Sequence, residues 1–336
     1  MSLNKGNKVE NGALKKCLIT GASGFVGSAL LDSLPVKQFI GIPVYRKPYN
    51  NAVSITDINA ETDWSCILEN IDTVVHAAAR VHIMSDTHHD ALAEFRRVNL
   101  DGTLNLAHQA AEAGVRRFVF ISTIKVNGES TFGRYTLNEV CTVPPEDPYA
   151  LSKYEAEIGI REIADQTGME VVIIRPPLVY GANVKANFLS LMKLADTPIP
   201  LPFGAINNKR SMVYVGNLVD FIIKCIDHPA AANQTFMVSD GEDLSLTVLL
   251  RMMRVALGRP ARLFSLPASL FHMAGRLSGK SGVIDRLIGD LQVDSAKARN
   301  LLGWKPPFTV QQGISATIAA YLEGKRFEDK KLEGKQ

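Results

Sequence analysis

Three features of the sequence predict an α/β protein, with a doubly wound parallel Rossmann sheet and a smaller, mostly helical C-terminal lobe. From residue 15 to about 182, short apolar runs alternate with longer segments of helical period. The runs are nearly continuous in Val and Ile, as strands covered on both faces must be. The first run leads straight into the glycine-spaced turn "TGASGFVG" (20–27), which opens the first helical segment.

The strands are expected at "KCLIT", "QFIGIPVYR", "AVSITDI", "DTVVHAAA", "RRFVFIST" and "MEVVIIRPPLVY". Of the intervening helical patterns the clearest is 90–113, closed by Gly114 as a C-cap. After 182 come loops and prolines ("ADTPIPLPFGAINNKR"), then helical patterns at 217–228, 245–258, 294–304 and 310–322. We therefore expect residues 15–182, with a return around 211–232, to form the nucleotide-binding domain. Residues 183–210 and 233–322 form the substrate lobe. Residues 1–14 read as a flexible lead-in and 323–336 as a charged tail.

Composition narrows the class. The chain has 336 residues, 46% hydrophobic and 21% charged, which is ordinary for a globular protein and long enough for a large core. A formal charge of +3 gives no support to a nucleic-acid partner. The four cysteines are far apart and match no zinc spacing, so reduced thiols, a cytoplasmic location and no metal are expected. No stretch is long and apolar enough to read as a transmembrane segment. The amphipathic run 266–291 is interrupted by Gly and Ser, which favours core packing or a dimer contact over a membrane surface.

Gly21, Gly24 and Gly27 suit a dinucleotide. One permits a tight turn, one lets the backbone approach a pyrophosphate, and one allows close packing of helix on strand. The second strand ends in "VYRK", with Arg46 and no acid where a ribose-binding carboxylate would stand, which tilts the cofactor from NAD toward NADP. Arg46 could equally stack on adenine or face solvent. Asp57 is a candidate for the adenine amino group or a turn cap.

Tyr149 and Lys153 lie in "EDPYALSKYEAE". Asp147 as N-cap and Pro148 as first helical residue put the tyrosine in the first turn and the lysine one turn on, on the same face. A lysine ammonium and the helix dipole would both favour the phenolate, which suits acid-base work on a sugar or alcohol hydroxyl. Thr123, at the end of the preceding strand, could bind the same oxygen, with Ser122 as the neighbouring candidate.

"TGASGFVG", "HAAA", "VNLDGT", "ISTIKVNG", "YALSK" and "LGW" occur in that order, and together they resemble the extended short-chain dehydrogenase/reductase family in its nucleotide-sugar epimerase/dehydratase branch. The resemblance covers roughly residues 15–320. It implies catalytic residues Thr123, Tyr149 and Lys153. It implies a cofactor held by Gly21, Ser23, Gly24, Phe25, Val26, Gly27, Arg46, Asp57, Ile58, Ala77, Ala78, Ala79, Asn99 and Lys153. For a UDP-sugar it implies Asn187, Phe188 and Arg210, the last clamping the diphosphate, and it implies a homodimer. Three positions depart from the pattern. Asn127 stands for a tyrosine, Ile124-Lys125 for the Asp-Glu of dehydratases, and Arg175-Pro-Pro-Leu178 for R-x-x-N. Hydride exchange at C4, by a 4-epimerase or a 4-keto reductase in bacterial surface-polysaccharide synthesis, is what remains. A reductase of an apolar ketone and a non-catalytic cofactor sensor are the rivals.

Overall fold

The computed structural model describes residues 14–47, 52–81, 90–131, 136–141, 143–279 and 281–333. The lead-in through residue 13 and the end of the tail from 334 lie outside the described residues.

Nine strands form the described sheets. These are β1 (Lys15–Thr20), β2 (Phe39–Tyr45), β3 (Val53–Ser54), β4 (Thr73–His76), β5 (Arg117–Ile121), β6 (Glu170–Arg175), β7 (Leu178–Tyr180), β8 (Met212–Tyr214) and β9 (Gln234–Met237). Seven of them make one sheet in the order β3-β2-β1-β4-β5-β6-β9, every pair parallel. The order reverses between β1 and β4, the place where such sheets open a crevice at their carboxyl ends.

Helices α1 (Phe25–Ser33), α2 (Ala91–Arg96), α3 (Gly102–Glu112) and α4 (Pro148–Thr167) belong to the first half. They are followed by α5 (Ala186–Ala195), α6 (Val215–Asp227), α7 (Leu246–Ala256), α8 (Ala268–Leu277), α9 (Ser281–Ile288), α10 (Ala296–Leu302) and α11 (Val310–Glu333). Alternate strand residues feed opposite faces. Cys17, Ile19, Val75, Val119 and Val172 pack with Leu30 of α1 and the apolar side of α6. Leu18, Val74, Phe118, Phe120 and Val171 pack with Leu106 of α3 and Ala156, Ile160 and Ile163 of α4. A third core joins β7, α5, α7 and α11 through Tyr180, Phe188, Leu250 and Ile314.

Several expected boundaries move. The run "AVSITDI" pairs only over Val53–Ser54, so Asp57 lies in the loop beyond. "MEVVIIRPPLVY" breaks at Pro176–Pro177, because proline has no N–H for a ladder; β7 instead pairs with β8 in a separate two-stranded sheet. The long helix at 90–113 is split by a π-helical turn at Arg97–Asp101. Gly114 stands one residue past the C-cap Ala113, with φ +78°.

Two segments given to the lobe from sequence lie with the large sheet. One is β9, its seventh strand, and the other is the α10 region. Trp304 meets the Phe221 ring edge-on at 4.9 Å and donates from Nε1 to Asp220 at 3.0 Å. The expected charged tail is helical through Glu333, where α11 ends, and Lys325 donates to Asp196 at 2.8 Å. The run 266–291 forms α8 and α9. Of the expected core packing or dimer contact, core packing fails for α8, whose residues are mostly exposed: Phe271 and Gly275 pack against other elements and His272 meets Asp285 of α9, while most of the rest face outward. No described helix is long and apolar enough to cross a membrane.

Candidate active site

The crevice begins at the end of β1. Gly21 has φ +70°, and a Cβ there would stand 2.7 Å from the Ala78 nitrogen, so the turn is pressed against the loop after β4. A Cβ on Gly27 would lie 2.2 Å from the Gly21 carbonyl oxygen, which is how closely α1 crosses the strand end. Gly24 is the N-cap of α1 and provides no side-chain hydrogen bond, leaving the first-turn N–H groups available to an anion.

Gly21, Ser23, Gly24, Tyr45, Arg46, Asp57, Ile58, Ala77, Ala78, Ala79 and Arg97 line one cavity at this edge. Phe25 and Val26 were expected to hold the cofactor, but their side chains face away. Val26 packs into the first core and Phe25 bridges the first and third, so only their backbone N–H groups are placed for that role. Asp57 accepts from the Ile58 nitrogen at 2.8 Å and is paired with Arg97. Burial works to raise its pKa, yet the hydrogen bonds from Arg97 and Ile58 and the charges of Arg97 and Arg46 hold it below the ordinary value. Arg97 was not anticipated, because its role depends on the π-helical turn, which periodicity does not disclose.

The same turn carries Asn99. Its Oδ1 accepts from the Arg80 nitrogen at 2.8 Å, and its Nδ2 donates to the Arg80 carbonyl at 3.0 Å and to Ser152 Oγ at 3.1 Å. Asn99 thereby ties the loop after β4 to α4. His76, at the end of β4, is pinned between Thr20 (2.7 Å) and Thr103 (3.0 Å). Burial, then the neighbouring charge of Lys153, pushes its pKa down to about 3, so it is a neutral pin.

Asp147 caps α4, accepting from the Ala150 nitrogen at 2.9 Å, and Pro148 is the first helical residue. The ring of Tyr149 meets Phe95 edge-on at 5.9 Å. Lys153 is 1% exposed, its Nζ 3.8 Å from the centre of the Phe120 ring, with no hydrogen-bond partner among the described residues. A buried ammonium of this kind requires a partner. Together with the glycine cradle, it fits a ribose of a nicotinamide dinucleotide.

Electrostatics here depart from the expectation that the lysine and the dipole would favour the phenolate. Burial, and then the charge of Asp147, raises the Tyr149 pKa to about 12. Burial lowers Lys153 to about 7, against a smaller upward pull from Glu157. Desolvation outweighs both expected terms, so the protein alone holds Tyr149 as the acid.

This has a consequence for stability. An unfolded lysine keeps its proton to about 10.5, so between pH 7 and 9 the unfolded chain binds more protons at this site than the folded one, and stability rises with pH. Below pH 7 both forms are protonated and the cost is fully present. Thermal melts of cofactor-free protein should show the melting temperature climbing across that window. The climb should flatten in Lys153→Met; parallel profiles would remove Lys153 as its origin.

Thr123 caps a 3-10 turn at Ile124–Val126, its Oγ1 accepting from the Lys125 nitrogen at 3.3 Å. Lys125 Nζ lies 3.7 Å from Asp147 and 2.5 Å from Glu129, which draws the Thr123 turn and the start of α4 to one corner of the crevice. Ser122 donates to Glu157 at 2.5 Å and is buried, so it serves the scaffold. Glu157 lies one turn past Lys153 and is fully buried. It accepts from Arg175 Nε at 2.9 Å and from Nη2 at 2.5 Å. Arg175 also donates to Asn127 Oδ1 at 2.9 Å. The departure at Asn127 is thus the partner of Arg175, the residue of R-x-x-N that is kept, and Glu157 was missed although its spacing from Lys153 was visible.

Of the substrate candidates, Asn187 is exposed at the second residue of α5. Phe188 is a correction: its side chain is buried and stacked on Tyr180 at 5.2 Å, because this position of α5 turns into the third core. Arg210 donates from Nη1 to the Gly289 carbonyl at 3.1 Å, and its other guanidinium nitrogens make no hydrogen bond among the described residues. Burial lowers its pKa against the pull of Asp290 and Glu129.

The model of the NAD dependent epimerase/dehydratase family matches residues 17–239, which holds the cradle, the crevice and α4. The chain belongs to that family. Among curated relatives it is similar to a UDP-glucose 4-epimerase of Vibrio cholerae, 48% identical over 315 residues, with 92% of this chain and 96% of the relative covered. It is also similar to an N-acetyl-alpha-D-glucosaminyl-diphospho-ditrans,octacis-undecaprenol 4-epimerase of Escherichia coli O157:H7, 27% identical, with 90% and 93% covered. Among solved structures, a UDP-glucose 4-epimerase of Thermotoga maritima with UDP-glucose superposes with TM-score 0.72 at 21% identity, covering 92% of this chain and 99% of that one. That last likeness speaks to the fold alone.

Proposed function

We propose that the chain is a 4-epimerase of UDP-hexoses or UDP-N-acetylhexosamines, working with a bound nicotinamide dinucleotide. The observation that carries this reading is the buried, unpartnered Lys153 amine one turn from Tyr149, in a fold whose first turn is a glycine cradle. When bound, the nicotinamide ring takes up a hydride and gives it back. The chain's own residues handle the rest. Thr123 and Tyr149 hold the C4 oxygen, and Tyr149, once its own proton has passed to the Lys153 amine, takes the C4 hydroxyl proton as the hydride leaves and returns it as the hydride comes back. Lys153 changes charge near neutral pH and can balance the proton that Tyr149 must take back. Arg210 meets the diphosphate with its free guanidinium edge. Asn187, exposed near the start of α5, is the candidate sugar contact, and Phe188, buried against Tyr180, supports α5.

Ile124 occupies the position of a dehydratase acid and is buried with Met237, Leu291 and Val293, while Lys125 turns toward Asp147 and Glu129. With no carboxylate at either position, dehydration is set aside. A second reading, a 4-keto reductase drawing on NADPH, is favoured by Arg46 at the cavity wall without an acid beside it on β2. The resemblance adds a homodimer and a role in surface-polysaccharide sugars to the proposal, and the widely spaced cysteines add a cytoplasmic setting, with residues 183–210 and most of 233–322 as the substrate lobe.

The test is to denature the purified protein, identify any released nucleotide, and offer UDP-glucose and UDP-N-acetylglucosamine without added cofactor, then a 4-keto-6-deoxy sugar nucleotide with NADPH. C4 epimers formed on retained NAD are expected. NADPH consumption with the keto sugar, and no epimer, would replace the epimerase reading by the reductase. In the same binding assays Arg46→Ala should weaken NADP more than NAD; equal losses would show that Arg46 does not read the 2′-phosphate.

A further inference from the structure

We propose that the α8–α9 hairpin is a docking surface for an anionic lipid bilayer. This is independent of the reaction catalysed. Leu270, Met273 and Leu277 recur at the spacing of one helical stripe and are all exposed, Met273 at 54% and Leu277 at 83%. The opposite side of α8 is already used, with Phe271 stacked on Phe203 at 5.1 Å and Gly275 packed against Ile284 of α9. Outward-facing leucine and methionine on a helix whose inner side is fully engaged have no role in this chain's own core. Phe264 and Val283 add exposed apolar surface before α8 and on α9.

Charge selects the occupant. Arg262, Arg276 and Arg286 are exposed around this stripe, and among the described residues none is paired with a carboxylate. The exposed acid of the hairpin, Asp285, lies 3.2 Å from His272. Apolar side chains framed by unpaired arginines suit the headgroup boundary of an anionic bilayer, where the arginines reach phosphates while the apolar stripe enters the acyl region. A second copy suits it less well, because a two-fold interface would set this cationic frame against itself with Asp285 as its counter-charge. With 10 residues α8 is about 15 Å long, too short to span a bilayer and suited to lying in its surface. The hairpin is braced to the substrate side, since the Gly289 carbonyl just past α9 accepts from Asn208 at 3.0 Å and from Arg210 at 3.1 Å.

The test is vesicle flotation of the full chain without substrate, using phosphatidylglycerol-containing vesicles and pure phosphatidylcholine vesicles. Partition into the anionic vesicles should exceed that into the neutral ones by about 100-fold, taking about fivefold per arginine. Replacing Arg262, Arg276 and Arg286 by Gln should abolish that preference. The pair Met273→Glu and Leu277→Glu should cut partition about tenfold or more, with the melting temperature unchanged because both side chains are exposed. Wild-type protein that does not float, or a Glu variant that floats like wild type, would overturn the proposal. A dimer seen by light scattering that the Glu variant dissociates, without flotation of the wild type, would assign the surface to a second copy and overturn it equally.

Discussion

Tyr149→Phe is expected to lower kcat by about 10²–10⁴-fold while leaving nucleotide affinity unchanged, the range set by removing a positioned proton-transfer group. The ring is retained, so its edge contact with Phe95 and the packing of the first turn of α4 survive. What is lost is the hydroxyl, the group whose pKa burial raises to about 12 and which therefore carries its proton throughout the physiological range. The cradle is built from Gly21, Gly24 and Gly27 and does not depend on that hydroxyl. Steady-state epimerisation and a nucleotide titration followed by tryptophan fluorescence separate the two effects. Turnover at the wild-type rate would sink the acid-base role. Weakened nucleotide binding with intact kcat would make Tyr149 a binding residue.

Arg175→Leu should destabilise the fold by about 3–5 kcal/mol, the cost of leaving a buried charge without its partner. Arg175 is 2% exposed and Glu157 is wholly buried, so neither can turn to water. Ser122 and Arg161 still reach the carboxylate, which places the loss toward the lower end of that range. Removing both charges in Arg175→Leu/Glu157→Leu should recover much of the stability, as buried pairs replaced by apolar groups often do. The guanidinium also holds Asn127, just past the Thr123 turn, so the single variant should lose kcat as well. Urea unfolding at neutral pH measures the first effect. A change below about 1 kcal/mol, the size of an ordinary substitution, would show that the pair does not brace the site.

These two residues mark how far the sequence could be read. Tyr149 and Lys153 were legible because their spacing, the Asp147 cap and the Pro148 start are local, and local geometry follows from neighbours in the chain. The alternating strands were legible because burial on both faces leaves a continuous apolar signature. Glu157, Arg175 and Asn127 were not connected, since they come from a helix, a strand end and a loop that meet only in three dimensions. Phe188 and Val26 belonged to motifs by position while their side chains turned into cores, a matter of rotation that a motif does not encode. The ionisation of Tyr149 was misjudged for the same reason: desolvation depends on everything packed around a group, and its charged neighbours in sequence are a small part of that.

The placement of Trp304 against Phe221 bears on how the chain is made. The core beneath β1 and β6 includes Ala298, Leu302 and Trp304, which are synthesised well after the last strand of that sheet ends at Met237. At roughly 5–20 residues per second, a ribosome leaves that apolar face uncovered for several seconds. The nascent sheet must therefore wait with an open side, and a message truncated anywhere between residues 238 and 300 would yield a chain with every described strand and an unfinished interior.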